Sequence, residues 1–243
     1  MESSPIQSFN FTAGRVIAGK YEVLEKLGQG WEGEVYKIRD LRTDIEHAAK
    51  LFFPHRDNNH RSVTAYAQKL HKLRCCSMVV RYHTEEHIQF RKQRVMVLIS
   101  ELVEGQLLSE YQQGKPGKRL HPYEALHVLY ALVRGMEEIH SLGEYHGDLH
   151  TDNIIIVRSG LNFELKLLDM FYWGRSTKSH LAEDVIFMTQ ILHELIGGPR
   201  HYRHQPPAIK QVCRGLKRSL ILKNYNNATQ MRQYLESLES LEC

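Results

Sequence analysis

The chain has 243 residues, 42% hydrophobic and 25% charged, which suffices for one two-lobed domain or two small ones with a substantial core. Its 32 Lys and Arg against 28 Asp and Glu leave a formal charge of +4, too small an excess to argue for nucleic-acid binding. No apolar run reaches the ~18 residues of a membrane span, and the opening Met1–Pro5 lacks the basic and apolar parts of a signal peptide.

Residues 1–19 are polar with scattered apolar positions and read as a lead-in. Tyr21–Leu27 alternates as a strand, Glu34–Asp40 as the next, with a glycine-rich turn between them, and Ile45–Phe53 as a third. From Asn58 to about Arg74 the pattern is helical. Val79–Phe90 and Val95–Glu101 complete a five-stranded sheet with one helix. After a link at Leu102–Gln106 the chain turns helical. Leu107–Gln113 is a short helix and Pro122–Leu142 a long one, with Pro122 in its first turn and Gly143 past its end. Ile154–Val157 and Leu165–Leu168 read as short strands, and Ala182–Ile196, Ala208–Leu222 and Ala228–Leu241 as helices. The cysteines, Cys75, Cys76, Cys213 and Cys243, include no C-x-x-C pair. A zinc site or disulfide framework is therefore disfavoured, and reduced thiols in a cytoplasmic protein are expected.

The most informative stretch is His146-Gly147-Asp148-Leu149-His150-Thr151-Asp152-Asn153, followed by an apolar run and then Asp169. An aspartate, an asparagine and a second aspartate in this order suit phosphoryl transfer from ATP. One carboxylate orients the attacking hydroxyl, and an amide plus the other carboxylate offer hard oxygen ligands to Mg²⁺. Upstream, Gly28, Gly30 and Gly33 lie between two strands, which argues against a dinucleotide fingerprint, since that motif opens a helix. They precede Ala48-Ala49-Lys50 in the next strand.

These parts, in this order, resemble the protein kinase family over about residues 20–240. The resemblance implies an α+β, two-lobed protein kinase-like fold. A small antiparallel β lobe with one helix (20–102) would be followed by a larger, mainly helical lobe (103–241). It implies Asp148 as the residue accepting or orienting the substrate hydroxyl proton, Lys50 on the α- and β-phosphates, and Asn153 and Asp169 on the metal. Gly28, Gly30, Gly33, Val35, Ala48, Ser100, Glu101, Val103 and Ile155 would line the nucleotide site, with Ser100 a small gatekeeper and Ile155 the adenine floor. Asp184 would hydrogen-bond the backbone of the catalytic loop. The implied partners are ATP, Mg²⁺ and a protein hydroxyl acceptor.

Four departures qualify the resemblance. No Asp or Glu occurs between Asn59 and Arg81, so the helix supplies no carboxylate to Lys50. Gln68 is the expected substitute, ahead of Glu32 or Glu34 of the glycine-rich segment. The metal motif reads Asp169-Met170-Phe171 rather than Asp-Phe-Gly. Asp184 follows Asp169 by only fifteen positions, leaving little room for an activation loop, although Ser176, Thr177 and Ser179 are phosphorylatable. Gly147 stands where an arginine would read a phosphorylated loop. Two alternatives stay open beside a serine/threonine protein kinase. His-Gly-Asp-Leu-His is similar to the aminoglycoside and choline phosphotransferases, which suggests a small-molecule acceptor. The missing helix carboxylate suggests a pseudokinase that binds nucleotide or serves as a scaffold.

Overall fold

The computed structural model describes residues 5–56, 61–160, 162–171 and 174–238. The chain is α+β and divides into two units, Met1–Arg74 with Val80–Val103, and Cys75–Val79 with Glu104–Cys243.

The first unit is an antiparallel sheet of six strands and one helix. In chain order these are β1 (Val16–Ile17), β2 (Tyr21–Gln29), β3 (Gly33–Asp40), β4 (Glu46–Phe52), α1 (Arg61–Lys72), β5 (Tyr82–Phe90) and β6 (Gln93–Glu101), with the sheet running β1-β2-β3-β4-β6-β5. The expected five strands are therefore joined by a sixth. Register decides what each face carries, because residues directly opposite in an antiparallel ladder point the same way. Tyr36 lies opposite Ala49 and Ala49 opposite Ile99, and Leu51 lies opposite Val97; all are buried on one face. Val35 lies opposite Lys50, Lys50 opposite Leu98 and Ala48 opposite Ser100, which puts these on the other face.

The lead-in expected over residues 1–19 is instead part of this unit wherever it is described. Ile6, Phe9 and Phe11 are buried against the Tyr36–Ala49–Ile99 face. The Phe9 ring stacks on Phe53 at 5.4 Å and meets Phe90 edge-on at 5.5 Å. Burying such side chains contributes roughly 1.5–3 kcal/mol each. Glu34 fastens this strap to the strand beyond the glycine-rich turn. Its fully buried carboxylate accepts from Ser8 Oγ at 2.6 Å, Phe9 N at 3.2 Å and Lys26 Nζ at 2.8 Å, and from the Tyr36 hydroxyl.

Helix α1 buries Val63, Tyr66 and Leu70 and carries Lys69, His71 and Lys72 in its last turn, where cations suit the helix dipole. Its expected start, Asn58, lies outside the described residues. The strand expected from Val79 begins at Tyr82, because the preceding segment joins the second unit.

The second unit contains β7 (Gln106–Leu107), α2 (Leu108–Gln113), α3 (Pro122–Ser141), β8 (Ile154–Ser159), β9 (Asn162–Leu167), α4 (Lys178–Leu195), α5 (Pro199–Tyr202), α6 (Pro207–Cys213), α7 (Arg218–Asn224) and α8 (Ala228–Glu236). Within it α3 packs on α4 and α8, and β7-β8-β9 form a small antiparallel sheet. Met78 O accepts from Leu167 N at 2.7 Å, which draws Cys75–Val79 into this unit. Gly105, at φ +143, permits the approach of β7 to β8, since a Cβ there would meet Ile155 Cγ2 at 2.6 Å.

The single helix expected over Ala208–Leu222 is two. Arg214 and Gly215 take positive φ, +48 and +60, which ends α6 before α7 can begin. Of the helix expected over Ala228–Leu241, residues 239–241 lie outside the described residues. Cys75, Cys76 and Cys213 are free thiols, and burial pushes Cys213 up to about 12; Cys243 is outside the described residues.

Glu34 supplies a test of this packing. Its hydrogen bonds hold the carboxyl below its ordinary value of 4.5 despite burial. The stability it contributes is therefore complete above that value and is lost as pH falls through the lower folded value. Glu34→Ala should cost about 3 kcal/mol in urea unfolding at neutral pH, and Glu34→Gln should flatten the acid limb of stability.

Candidate active site

The residues expected to carry the chemistry fall into two sets, one in each unit. In the first, Val35, Ala48, Lys50 and Ser100 share a sheet face, as the strand register requires. Gly28 and Gly30 have open space where a Cβ would stand. Gly33 has none, because a Cβ there would lie 1.9 Å from Leu51 O. Gly30 N bonds Gly33 O at 2.9 Å, closing the turn. Glu101 ends β6 with its amide on Arg81 O at 2.9 Å, and Val103 closes the unit.

Lys50 is the main departure from expectation. Its Nζ lies 2.7 Å from Glu32 Oε2, with the two side chains 10% and 28% exposed. The Tyr66 and Phe52 rings flank the ammonium at 5.3 and 5.2 Å from their centroids. Gln68, the favoured substitute, is exposed and lines a surface groove with Thr64, His71 and Tyr82. Two helical positions separate the outcomes: Tyr66 turns inward and Gln68 turns away. Glu34, the other candidate, is spent on the strap.

In the second unit the loop 146–153 is shaped by Asp184, a carboxylate with no exposure. It accepts from His146 N at 2.8 Å, Gly147 N at 2.9 Å and His140 Nε2 at 3.1 Å. This matches the role expected of Asp184. The part of His140 was not anticipated: its Nδ1 also accepts from Ala228 N at 3.2 Å, linking α8 to the loop's anchor. Buried His146 donates from Nε2 to Leu168 O at 2.9 Å and accepts from Asp148 N at 3.3 Å, which is structural work. Gly147, at φ +86, supplies a turn that favours glycine.

Asp148 emerges from this frame with its side chain 54% exposed. Asn153 donates its amide nitrogen to Asp148 O at 2.9 Å and to the Asp148 carboxylate at 3.4 Å, leaving the amide oxygen to serve a cation. Asn153 O accepts from Leu168 N at 2.8 Å, so Asp169 follows directly beside the loop. Asp169 takes φ +50, a conformation that costs a non-glycine residue about 1 kcal/mol or more and is typical of functional positions. His150 Nε2 stands 3.8 Å from the Asp148 carboxylate. Thr177, one of the phosphorylatable residues, caps α4 by accepting from His180 N at 3.3 Å. Ile155 is half-buried on β8.

Among the described residues no three His, Cys, Asp or Glu side chains form a metal cluster. The oxygen set of Asn153 and Asp169 suits Mg²⁺, which keeps part of its shell for water and phosphate.

A family profile described as "Protein kinase domain" matches residues 21–194. The chain belongs to that family. The serine/threonine-protein kinase PrkC of Bacillus subtilis (strain 168) is 29% identical over 150 residues, 60% of this chain and 22% of the relative. The cyclin-dependent kinase B1-1 of Arabidopsis thaliana is 30% identical over 198 residues, 75% of this chain and 63% of the relative. The serine/threonine-protein kinase pkn2 of Myxococcus xanthus is 31% identical over 155 residues, 63% of this chain and 18% of the relative. The chain thus spans less than two thirds of these relatives. No helix among the described residues is long and apolar enough to cross a membrane.

Since Gln68 is exposed, Gln68→Ala should leave nucleotide affinity and turnover within about twofold of wild type, because surface substitutions cost little. Asp184→Ala, which strips the loop amides of their acceptor, should cost about 3 kcal/mol of stability. Calorimetric titration with nucleotide and urea unfolding check the two.

Proposed function

We propose that this domain transfers the γ-phosphate of ATP, with Mg²⁺, to a serine or threonine hydroxyl of a protein, itself included. The observation that carries the reading is the Asp148–Asn153 loop, its backbone fixed by buried Asp184 while the Asp148 carboxylate stays exposed. In this reading Asp148 orients the acceptor hydroxyl and takes its proton as the oxygen bonds phosphorus, and ADP departs. Asn153 and Asp169 would hold Mg²⁺, which would supply positive charge to the phosphate oxygens. Lys50 adds a point charge to the α- and β-phosphates. Val35 and Ala48 offer an apolar face to adenine, and Ile155 its floor. Gly28 and Gly30, with open space at their Cβ positions, let backbone approach phosphate. The backbone of Glu101 and Val103 would hydrogen-bond the base, beside Ser100.

The family match and the relatives' names support a protein acceptor over a small molecule. A pseudokinase reading was motivated by the missing helix carboxylate; the Glu32–Lys50 pair weakens that motive. The free thiols support a reducing, cytoplasmic setting.

Incubation with γ-labelled ATP and Mg²⁺ tests the reading. Label should appear on protein with wild type and fall to background with Asp148→Ala and Lys50→Ala, while Asp169→Ala should also weaken Mg·ATP binding. Near-normal labelling by Asp148→Ala would remove that residue from its role. ATP consumption only with an added small acceptor would favour the small-molecule alternative.

A further inference from the structure

The Lys50–Glu32 pair has a consequence for the nucleotide, resting on the kinase reading above. We infer that Glu32 is a built-in competitor for the phosphate-binding lysine: its carboxylate occupies Lys50 in the nucleotide-free domain, and ATP must displace it to bind.

Three observations carry this. Glu32 lies in the turn closed by Gly30 N on Gly33 O, the same backbone assigned to the phosphates, rather than on a helix behind the lysine. Its carbonyl accepts from Phe53 N at 2.8 Å, which fixes the backbone from which its side chain reaches Lys50. The contact, at 2.7 Å, is charge-assisted and partly shielded from water, so its carboxylate and a triphosphate are like charges drawn to one ammonium. A carboxylate on α1 could share the lysine with phosphate from the opposite side, but residues 60–80 contain none. The Tyr66 and Phe52 rings stand beside the Lys50 ammonium, 5.3 and 5.2 Å from their centroids. Once released, Glu32 sits in a turn beside the phosphates and is pushed outward by them. The turn's open positions at Gly28 and Gly30 give it room to adjust.

Calorimetric titration of wild type and Glu32→Gln with Mg·ATP, and in parallel with adenosine, tests the inference. Glutamine keeps the size and removes the charge. The variant should bind ATP about tenfold tighter, the strength of one charge-assisted hydrogen bond, and adenosine with unchanged affinity. Glu32→Ala should shift in the same direction. Unchanged or weaker ATP binding by Glu32→Gln would overturn the inference and mark Glu32 as a support for Lys50. Equal gains for ATP and adenosine would overturn it too, since a change of loop shape rather than of charge would then be at work. If the folded wild type and both variants bind neither ligand, the kinase reading itself fails and the inference with it.

Discussion

A charge withdrawn from water must meet an opposite charge or a full set of hydrogen-bond donors, and this constraint organises both units. Leaving one unpaired costs several kcal/mol, a large part of a domain's net stability. Lys50 is nearly buried and meets Glu32. Glu34 is buried one strand away and collects Ser8, Phe9, Lys26 and Tyr36. Asp184 is buried in the second unit and collects two loop amides and His140. Each pairing fixes a different thing: the lysine, the strap over the outer sheet face, and the backbone from which Asp148 projects. The functional groups are positioned by the settlement of buried charge as much as by apolar packing.

The three carboxylates differ in what their partners allow. Asp184 binds backbone amides and a histidine that also anchors α8, so it cannot exchange partners without loosening the loop. Glu34 likewise holds a strap whose rings pack on Phe53 and Phe90. Glu32 pairs with Lys50 from a glycine-bounded turn, so its bond is the one that can be traded for another anion.

Much of this was legible in the sequence. Strand alternation and the helix stops placed most elements to within a few residues, and the order Lys50, Asp148, Asn153, Asp169 pointed to the family now shown. What stayed hidden has physical reasons. Ile6, Phe9 and Phe11 follow neither a helical nor a strand period, because they pack as an irregular strap. The break at Arg214 and Gly215 lies inside a run whose apolar spacing continues across it. The partner of Lys50 depends on how far a side chain reaches from a turn, which periodicity does not encode. Helical spacing put Gln68 near the right place, but the helix face beside Lys50 carries Tyr66, and Gln68 is exposed.

The most direct measurement of the central claim is a crystal structure of the domain with Mg²⁺ and a non-hydrolysable ATP analogue. The account predicts phosphate oxygens on Lys50 Nζ, Glu32 displaced from it, and a divalent ion coordinated by Asn153 and Asp169. A bound analogue with Lys50 still on Glu32, and no ion on Asn153 and Asp169, would contradict it.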